Sequence, residues 1–217
     1  MEHDPNQVVA AASWAGWSLD DTQTTLLQTY ADWLVEEAIP AGGLGPNEAD
    51  RVWIRHVADS LTFAAGFEGT PPADVLDVGT GVGLPGIPLA ILWPDTRMML
   101  LDRGGRRIRL LERLVRILEL PNVLILHRDV DDVAGRFDGL VFRGSIPARR
   151  TPDVTNRLLS PTGTAVVGLS RRAEPPEAAA TILTDAEGLG LDASLSSIPD
   201  YVLAGPAWLL VMRRPSP

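Results

Sequence analysis

DVLDVGTGVGLPGIPLAILWPDTRMMLLD, residues 74–102, is the stretch from which the fold of this chain follows. Val75, Leu76 and Val78 form a short apolar run that predicts a buried strand. Gly79, Gly81 and Gly83 come directly after it, in a loop almost without side chains. Residues 84–92 have helical character, and 98–101 form a second apolar run that ends in Asp102. Strand, glycine loop, helix, strand and acid is the order of a nucleotide-type cofactor unit.

The chemistry of this unit restricts its ligand. Glycines let the backbone approach a bound molecule without Cβ collisions, and amides at a helix start favour negative charge. Asp102, nineteen residues after Gly83, is placed to accept from both hydroxyls of a ribose. Two cofactors compete. Gly81, Gly83 and Gly86 fit the dinucleotide spacing G-x-G-x-x-G. The loop, however, opens earlier, at Gly79, and carries Asp77 at the strand tip. A carboxylate there repels a pyrophosphate and suits the positive amino-acid end of S-adenosylmethionine. The residues favour S-adenosylmethionine over NAD, and a dehydrogenase is the distant alternative.

Composition bounds the rest. The 217 residues suffice for one domain with a full core. We expect N-terminal helices over 1–70, packed on a cofactor-binding α/β core over 71–217. No cysteine is present, so disulfides and thiolate metal sites are excluded. His3, His56 and His127 are scattered, and no metal is expected. No lysine is present either, which excludes a lysine nucleophile or Schiff base. The sequence shows no signal peptide and no apolar run long enough to span a bilayer, so the cytoplasm is the expected location. A net charge of −9 opposes broad nonspecific binding to nucleic acid, but leaves room for a local basic face.

Outward from the central unit, helical spacing predicts a helix over 18–37, opened by Ser18 and Asp21 as a capping box, with Leu27, Tyr30 and Trp33 on its apolar stripe. Pro40 and the glycines at 42, 43 and 45 separate it from a second helix over 48–65. There Arg55–Asp59 and His56–Ser60 are each four apart, on a helix expected to wall the cofactor or substrate pocket. A helix over 103–120 turns Ile108, Leu111 and Leu114 inward. Arg103, Arg106, Arg107, Arg109, Arg113 and Arg116 crowd its outer side as a candidate surface for phosphates. Strands follow over 123–126, 137–142, 163–168, 191–198 and 207–212, with a helix over 176–187 and a frayed tail over 213–217. The acidic turn 129–132 is expected at an adenine edge. Arg143, Gly144 and Ser145 end the fourth strand, where α/β sheets place reacting groups.

These blocks together carry a likeness. AGWSLDD at 15–21, RHVADS at 55–60, LDVGTGVGLPGIPLA at 76–90, LLDRGGRRIRLL at 100–111, LELPNV at 118–123 and FDGLVFRG at 137–144 stand in the order and spacing of a known family. The chain resembles the bacterial small-subunit (16S) ribosomal RNA guanine-N7 methyltransferases, the glucose-inhibited division protein B family. The resemblance implies a Rossmann-like class I S-adenosylmethionine-dependent methyltransferase, with a seven-stranded, mostly parallel sheet, helices on both faces, an antiparallel last strand and an N-terminal helical extension. It implies that Gly79, Leu84, Val130, Asp131 and Arg143 contact S-adenosylmethionine beside Asp77, Gly81, Gly83 and Asp102. Arg143 and His56 are the candidate catalytic residues. The implied reaction is direct in-line methylation of guanine N7, and the implied partner is ribosomal RNA or the small ribosomal subunit. The chain departs from the family in three places: Gly43-Leu44-Gly45 stands for Asn-Leu-Thr, Leu169-Ser170 for Lys-Gly, and Arg143-Gly144 for Arg-Ala. Arg171 and Arg172 are candidates to replace the missing lysine. Two alternatives stay open: a divergent relative that methylates a small molecule or another RNA, and a catalytically silent S-adenosylmethionine-binding protein.

Overall fold

The computed structural model describes residues 5–169 and 174–215. His3, Arg171, Arg172 and the last two residues of the expected tail lie outside the described residues. Seven strands form one sheet: β1 (Asp74–Val78), β2 (Arg97–Asp102), β3 (Val123–His127), β4 (Phe137–Arg143), β5 (Leu159–Gly168), β6 (Asp192–Ile198) and β7 (Ala207–Arg213). Their order is β3-β2-β1-β4-β5-β7-β6. The first five run parallel, and β7 is antiparallel to both β5 and β6. This is the expected class I methyltransferase sheet.

Alternation along the strands explains why helices cover both faces. Val75, Leu100, Val141 and Val166 point into a cluster with Tyr30, Leu89, Trp93 and Leu111. Their neighbours Leu76, Leu101, Leu140 and Val167 point into a second cluster with Val154, Leu158 and Ile182. The first cluster sits under α1 (Pro5–Trp14), α2 (Asp21–Trp33), α4 (Gly86–Leu92) and α5 (Gly105–Leu118). The second sits under α6 (Thr151–Leu158) and α7 (Ala178–Gly188). β1 and β2 are buried on both sides, so they read as nearly continuous apolar runs, broken in β1 by the buried Asp77. Two short helices, α3 (Asp59–Thr62) and α8 (Asp200–Leu203), complete the set.

The local chemistry differs from expectation in instructive places. The capping box of α2 is Asp20–Gln23, not Ser18–Asp21: Asp20 Oδ1 accepts from Gln23 N at 2.7 Å, and Gln23 Oε1 accepts from Asp20 N at 3.0 Å. Tertiary contact selects this register, because Gln23 Nε2 also donates to Ile91 O and Leu92 O at the open end of α4. The helix expected over 48–65 is a succession of short pieces. A 3₁₀ turn (Ala49–Arg51), a π-helical segment (Val52–Ala58), α3 and a second 3₁₀ turn (Phe63–Phe67) follow one another. The helix expected from 84 begins at Gly86, after Pro85. α1, α6 and α8 were not expected; α6 is short and largely polar, and only its contacts with α7, β4 and β5 make it a helix with a buried side. Nor is the tail frayed at its start. Arg213 belongs to β7 and bonds to Gly66 O, and Arg214 Nη2 donates to Asn156 O at 2.6 Å.

Candidate functional site

The glycine loop leaves β1 at Val78, and local bonds to backbone and acids hold it. Asp77 Oδ2 accepts from Gly86 N at 2.8 Å, Asp102 Oδ2 from Gly81 N at 3.1 Å, and Leu101 O from Thr80 N at 2.9 Å. Gly79 has a φ of +67°, and a Cβ there would strike the Ser145 side chain after β4. Only glycine lets these two strand ends meet. The N-terminal extension braces the loop as well: the fully buried Tyr30 donates its hydroxyl to Val82 O at 3.0 Å. Burial raises the Tyr30 pKa well above the usual phenol range, so it stays a donor.

Asp77 does not take the position expected of it. It is 0% exposed and lies beneath the loop rather than on a cleft wall. Burial pushes its pKa up to about 7, against the opposing pull of the Thr80 hydroxyl, the Gly86 amide and the Arg143 charge. Its Oδ1 has no partner with hydrogen-bond geometry, although the Thr80 hydroxyl is near enough to favour the charged form. An acid so poised acts on the loop and on charge bound above it.

A cleft of about 380 Å³ opens at the carboxyl ends of β1 to β4, the place where the strand order reverses. Gly79 and Gly81 line it after β1, Asp102 after β2, Val130 after β3, and Gly144 and Ser145 after β4. Gly79, Gly81, Asp102 and Val130 are thus brought together as expected. Four others are not on its walls. Gly83 packs against Ile87 and Tyr30, and Leu84 is buried in the core. Asp131 stands outside, bonded to Arg150 at 2.8 and 3.1 Å, and Arg143 faces a neighbouring cleft. Gly43, Arg103, Arg107, Arg128 and Arg150 line the cleft without having been expected there. Each needs the chain to fold back on the strand ends, and only their position just after an expected strand or helix boundary hinted at it.

Asp102 is nearly saturated by protein donors. Gly104 N reaches Oδ1 at 2.7 Å, while Gly81 N and Arg107 Nε reach Oδ2 at 3.1 and 2.9 Å. Arg107, expected on the outer side of α5, turns back instead, and its bond to Asp102 raises its own pKa. Its half-exposed side chain is the member of this set free to leave. With Arg107 withdrawn, Asp102 suits a ribose diol, Val130 and Ile146 offer apolar sides to a purine, and the side-chain-free Gly79 admits a close backbone contact. These residues fit S-adenosylmethionine.

Arg143, at the end of β4, is held by the N-terminal extension. Its Nε donates to Asp59 Oδ2 at 2.9 Å, and its Nη2 to Arg55 O at 2.7 Å and His56 Nδ1 at 3.2 Å. The π-helical segment makes this possible. The amide of Asp59 turns to His56 O, and the Arg55 carbonyl receives the guanidinium. His56 Nε2 contacts Glu48 Oε2 at 3.0 Å. Burial first, then the Arg143 charge, lower the His56 pKa to about 4 against the pull of Glu48. The Glu48 contact is therefore a hydrogen bond from a neutral imidazole rather than an ion pair. His56, expected to be catalytic, lines neither cleft; its Nδ1 faces Arg143 Nη2. Arg55 stands 3.6 Å from Glu48, and Asp59 pairs with Arg143 at 2.9 Å.

Among the described residues no group of three or more His, Cys, Asp or Glu is gathered to hold a metal ion. No described helix is long and apolar enough to cross a membrane.

Known proteins share this architecture. A precorrin-6y C5,15-methyltransferase from Geobacter metallireducens GS-15 superposes with a TM-score of 0.56 at 15% identity, over 73% of this chain and 88% of that one. A fibrillarin from Aeropyrum pernix, solved with natively bound S-adenosyl-L-methionine, gives 0.53 at 16% identity, over 64% of this chain and 66% of that one. At such identities the likeness is one of fold. In sequence, a "Ribosomal RNA small subunit methyltransferase G" of Chlorobaculum tepidum is 32% identical over 200 residues, 92% of each chain. One of Frankia casuarinae is 36% identical over 149 residues, 65% of this chain and 55% of that one. The model of the GidB family, rRNA small subunit methyltransferase G, matches residues 23–185. By that match and by the Chlorobaculum likeness, the chain belongs to the rRNA small subunit methyltransferase G family.

Proposed function

We propose that this chain transfers a methyl group from S-adenosylmethionine to N7 of a guanine in small-subunit (16S) ribosomal RNA, in the cytoplasm, on the RNA or the small ribosomal subunit. One observation carries the choice of an RNA acceptor. Arg103, Arg107, Arg128 and Arg150 line the cofactor cleft, in a chain of net charge −9 that would bind a cationic sulfonium there. Arg103, Arg107 and Arg150 each pair with one carboxylate, yet all three stay partly exposed, and with Arg128 they suit an anionic acceptor strand better than they suit the cofactor. Membership of the family, and the names of the relatives, support the same acceptor.

Bound S-adenosylmethionine supplies an electrophilic sulfonium methyl, which passes in line to guanine N7 while the electron pair of the broken carbon–sulfur bond stays on sulfur. N7 carries a free lone pair, so no residue has to remove a proton first. The work of the chain is alignment. The Gly79–Gly81 backbone, backed by the Asp77 carboxylate, receives the amino-acid end. Asp102 would hold the ribose hydroxyls once Arg107 withdraws. Val130 would flank the adenine, while Asp131 stays outside the cleft on Arg150, and Leu84 and Gly83 buttress the loop from behind. Arg143 stands at the junction of cofactor and base, aligned by His56 and Asp59. The 1–70 helices and the 71–217 core then work as one methyltransferase domain, because Tyr30 and Asp59 reach from the first into the site of the second.

Nucleoside mass spectrometry of small-subunit ribosomal RNA, from cells with and without this gene, tests the proposal. Loss of one 7-methylguanosine per subunit is expected in the deleted strain. Equal amounts in both strains would overturn the choice of acceptor.

A further inference from the structure

We infer that the outer face of α5 is a docking surface for the RNA backbone, on which Arg106, Arg109 and Arg116 hold phosphates of the strand as it leaves the cofactor cleft. The inference rests on the RNA reading above and deepens it.

The make-up of the helix is the first argument. α5 carries five arginines and a single acid, Glu112, in fourteen residues. Ile108, Leu111, Leu114 and Leu118 are buried against the sheet. Arg106, Arg109, Arg113 and Arg116 follow at intervals of three and four on the opposite side, and all four are exposed. The row covers about 15 Å of helix. Like charges at these intervals repel one another. No acid stands in the first turn and no side chain caps the helix at Gly104, so Arg106 adds its charge to the positive end of the helix dipole. Such a face destabilises the free protein, and a bound polyanion relieves the repulsion.

The pairing inventory is the second argument. Arg107 bonds to Asp102 at 2.9 Å, and Arg113 to Glu37 at 3.0 Å. Arg116 Nε donates to the Glu112 carbonyl at 3.0 Å, not to its carboxylate. Among the described residues, Arg106, Arg109 and Arg128 have no carboxylate partner. In a chain with 28 acidic and 19 basic residues, unpaired arginines gathered at one place are not what an ordinary solvated surface gives.

Position is the third argument. α5 starts just past Asp102 and Arg103, which line the cofactor cleft. His127, exposed at the end of the edge strand β3, contacts Arg103 O at 3.2 Å. A Cβ at Gly105 would stand 3.5 Å from His127 Cε1 and 3.7 Å from Arg109 Nη1, so these side chains share one corner of the helix start. Arg128, the next residue, lines the cleft. Basic side chains thus run from the cleft rim onto α5. A convex helix face meets phosphates and offers no groove for base edges, so it positions the strand without reading it. It suits RNA better than a lipid surface, because the apolar side of α5 is spent on the core and Ile117 is the residue left exposed.

The test uses the full-length protein with Arg106→Gln and Arg109→Gln together. Binding of 16S ribosomal RNA is expected to weaken about tenfold at low salt, and the slope of log affinity against log salt to fall by about 1.5. KM for the RNA is expected to rise in step, with turnover at saturating RNA and S-adenosylmethionine affinity within twofold of wild type. The thermal midpoint is expected to hold or rise, which a structural role for these arginines would not allow. Arg97→Gln, the same loss of charge at the amino end of β2, is expected to leave RNA affinity as it is. An unchanged salt slope in the double variant, an equal loss in Arg97→Gln, or a midpoint lowered along with the affinity would overturn the inference. So would lost binding to phosphatidylglycerol vesicles with RNA affinity intact, which would give the face to a membrane. Polyuridylate, which holds no guanine, separates this inference from the choice of acceptor: its binding is expected to lose the same slope even if ribosomal RNA proves not to be methylated.

Discussion

The cleft that carries Gly79 and Asp102 takes most of its walls from the ends of four parallel strands, each wall a few residues past a strand. The neighbouring cleft draws Arg55, Asp59 and Phe63 from the N-terminal extension, Arg143 and Gly144 from β4, and Trp208 from the antiparallel β7. The first is centred on the glycine loop and Asp102, held by bonds within the unit 77–102, with arginines at its rim. The second is side chains, held by bonds across more than eighty residues of chain, such as Arg143 to Asp59. The first cleft belongs to the general part of the fold, and the second to what the extension and the last strand add to it. Damage to the extension should therefore fall first on acceptor chemistry, and damage to the loop on cofactor binding.

The strongest way to break this contrast is Arg143→Ala. Methyl transfer should fall about 100-fold or more, the scale of removing one aligned charged donor at a reacting centre, while calorimetry finds S-adenosylmethionine still bound. Equal loss of cofactor binding and transfer would merge the two clefts into one functional unit. Asp77→Asn probes the other side. Because the folded-state pKa of Asp77 is raised to about 7, its contribution to stability is full below the unfolded value and is lost as pH rises through about 7. A cationic cofactor favours the ionised form, so wild-type affinity should tighten as pH rises from 6 to 8. Calorimetry on Asp77→Asn should give weaker binding with that slope removed.

Tyr30→Phe asks whether the extension also serves the first cleft. It leaves the buried Val82 carbonyl without its donor, at a cost of about 1–3 kcal/mol. A lower thermal midpoint with cofactor affinity severalfold weaker is expected, and an unchanged midpoint would remove the brace from the account. Arg107→Ala should have the smallest effect and the opposite sign. Freed of a partly exposed ion pair worth about 0–1 kcal/mol, Asp102 should bind the ribose up to about fivefold more tightly, as read by equilibrium dialysis.

Much of the first cleft was legible in the chain. Gly79, Gly81, Asp102 and Val130 stand where strand, loop and acid spacing put them, because their places depend on covalent neighbours and one parallel pairing. Asp77 was legible as a special acid but not as a buried one, since a strand tip does not reveal whether its side chain meets solvent or the loop above. Arg107 belongs to a row expected to face outward as a surface for phosphates, although its guanidinium bends back onto Asp102. The capping box was misplaced by two residues because Asp20 and Gln23 are selected by the end of α4, sixty-eight residues away. The broken helix over 48–65 had an ordinary apolar stripe, and its π-helical register follows only from what Arg143 requires of Arg55, His56 and Asp59.

The sequence by itself determined the sheet, the glycine loop, the acid that follows β2 and the family to which the chain belongs. Those depend on alternation, on glycine spacing and on the short reach of backbone bonds. Tertiary structure alone decided that His56 lies behind Arg143 and lines neither cleft, and that Arg143 faces a second cleft. Side-chain partners drawn from distant stretches are chosen by packing and by the need to satisfy buried charge, and neither is written into the order of residues along any one of those stretches.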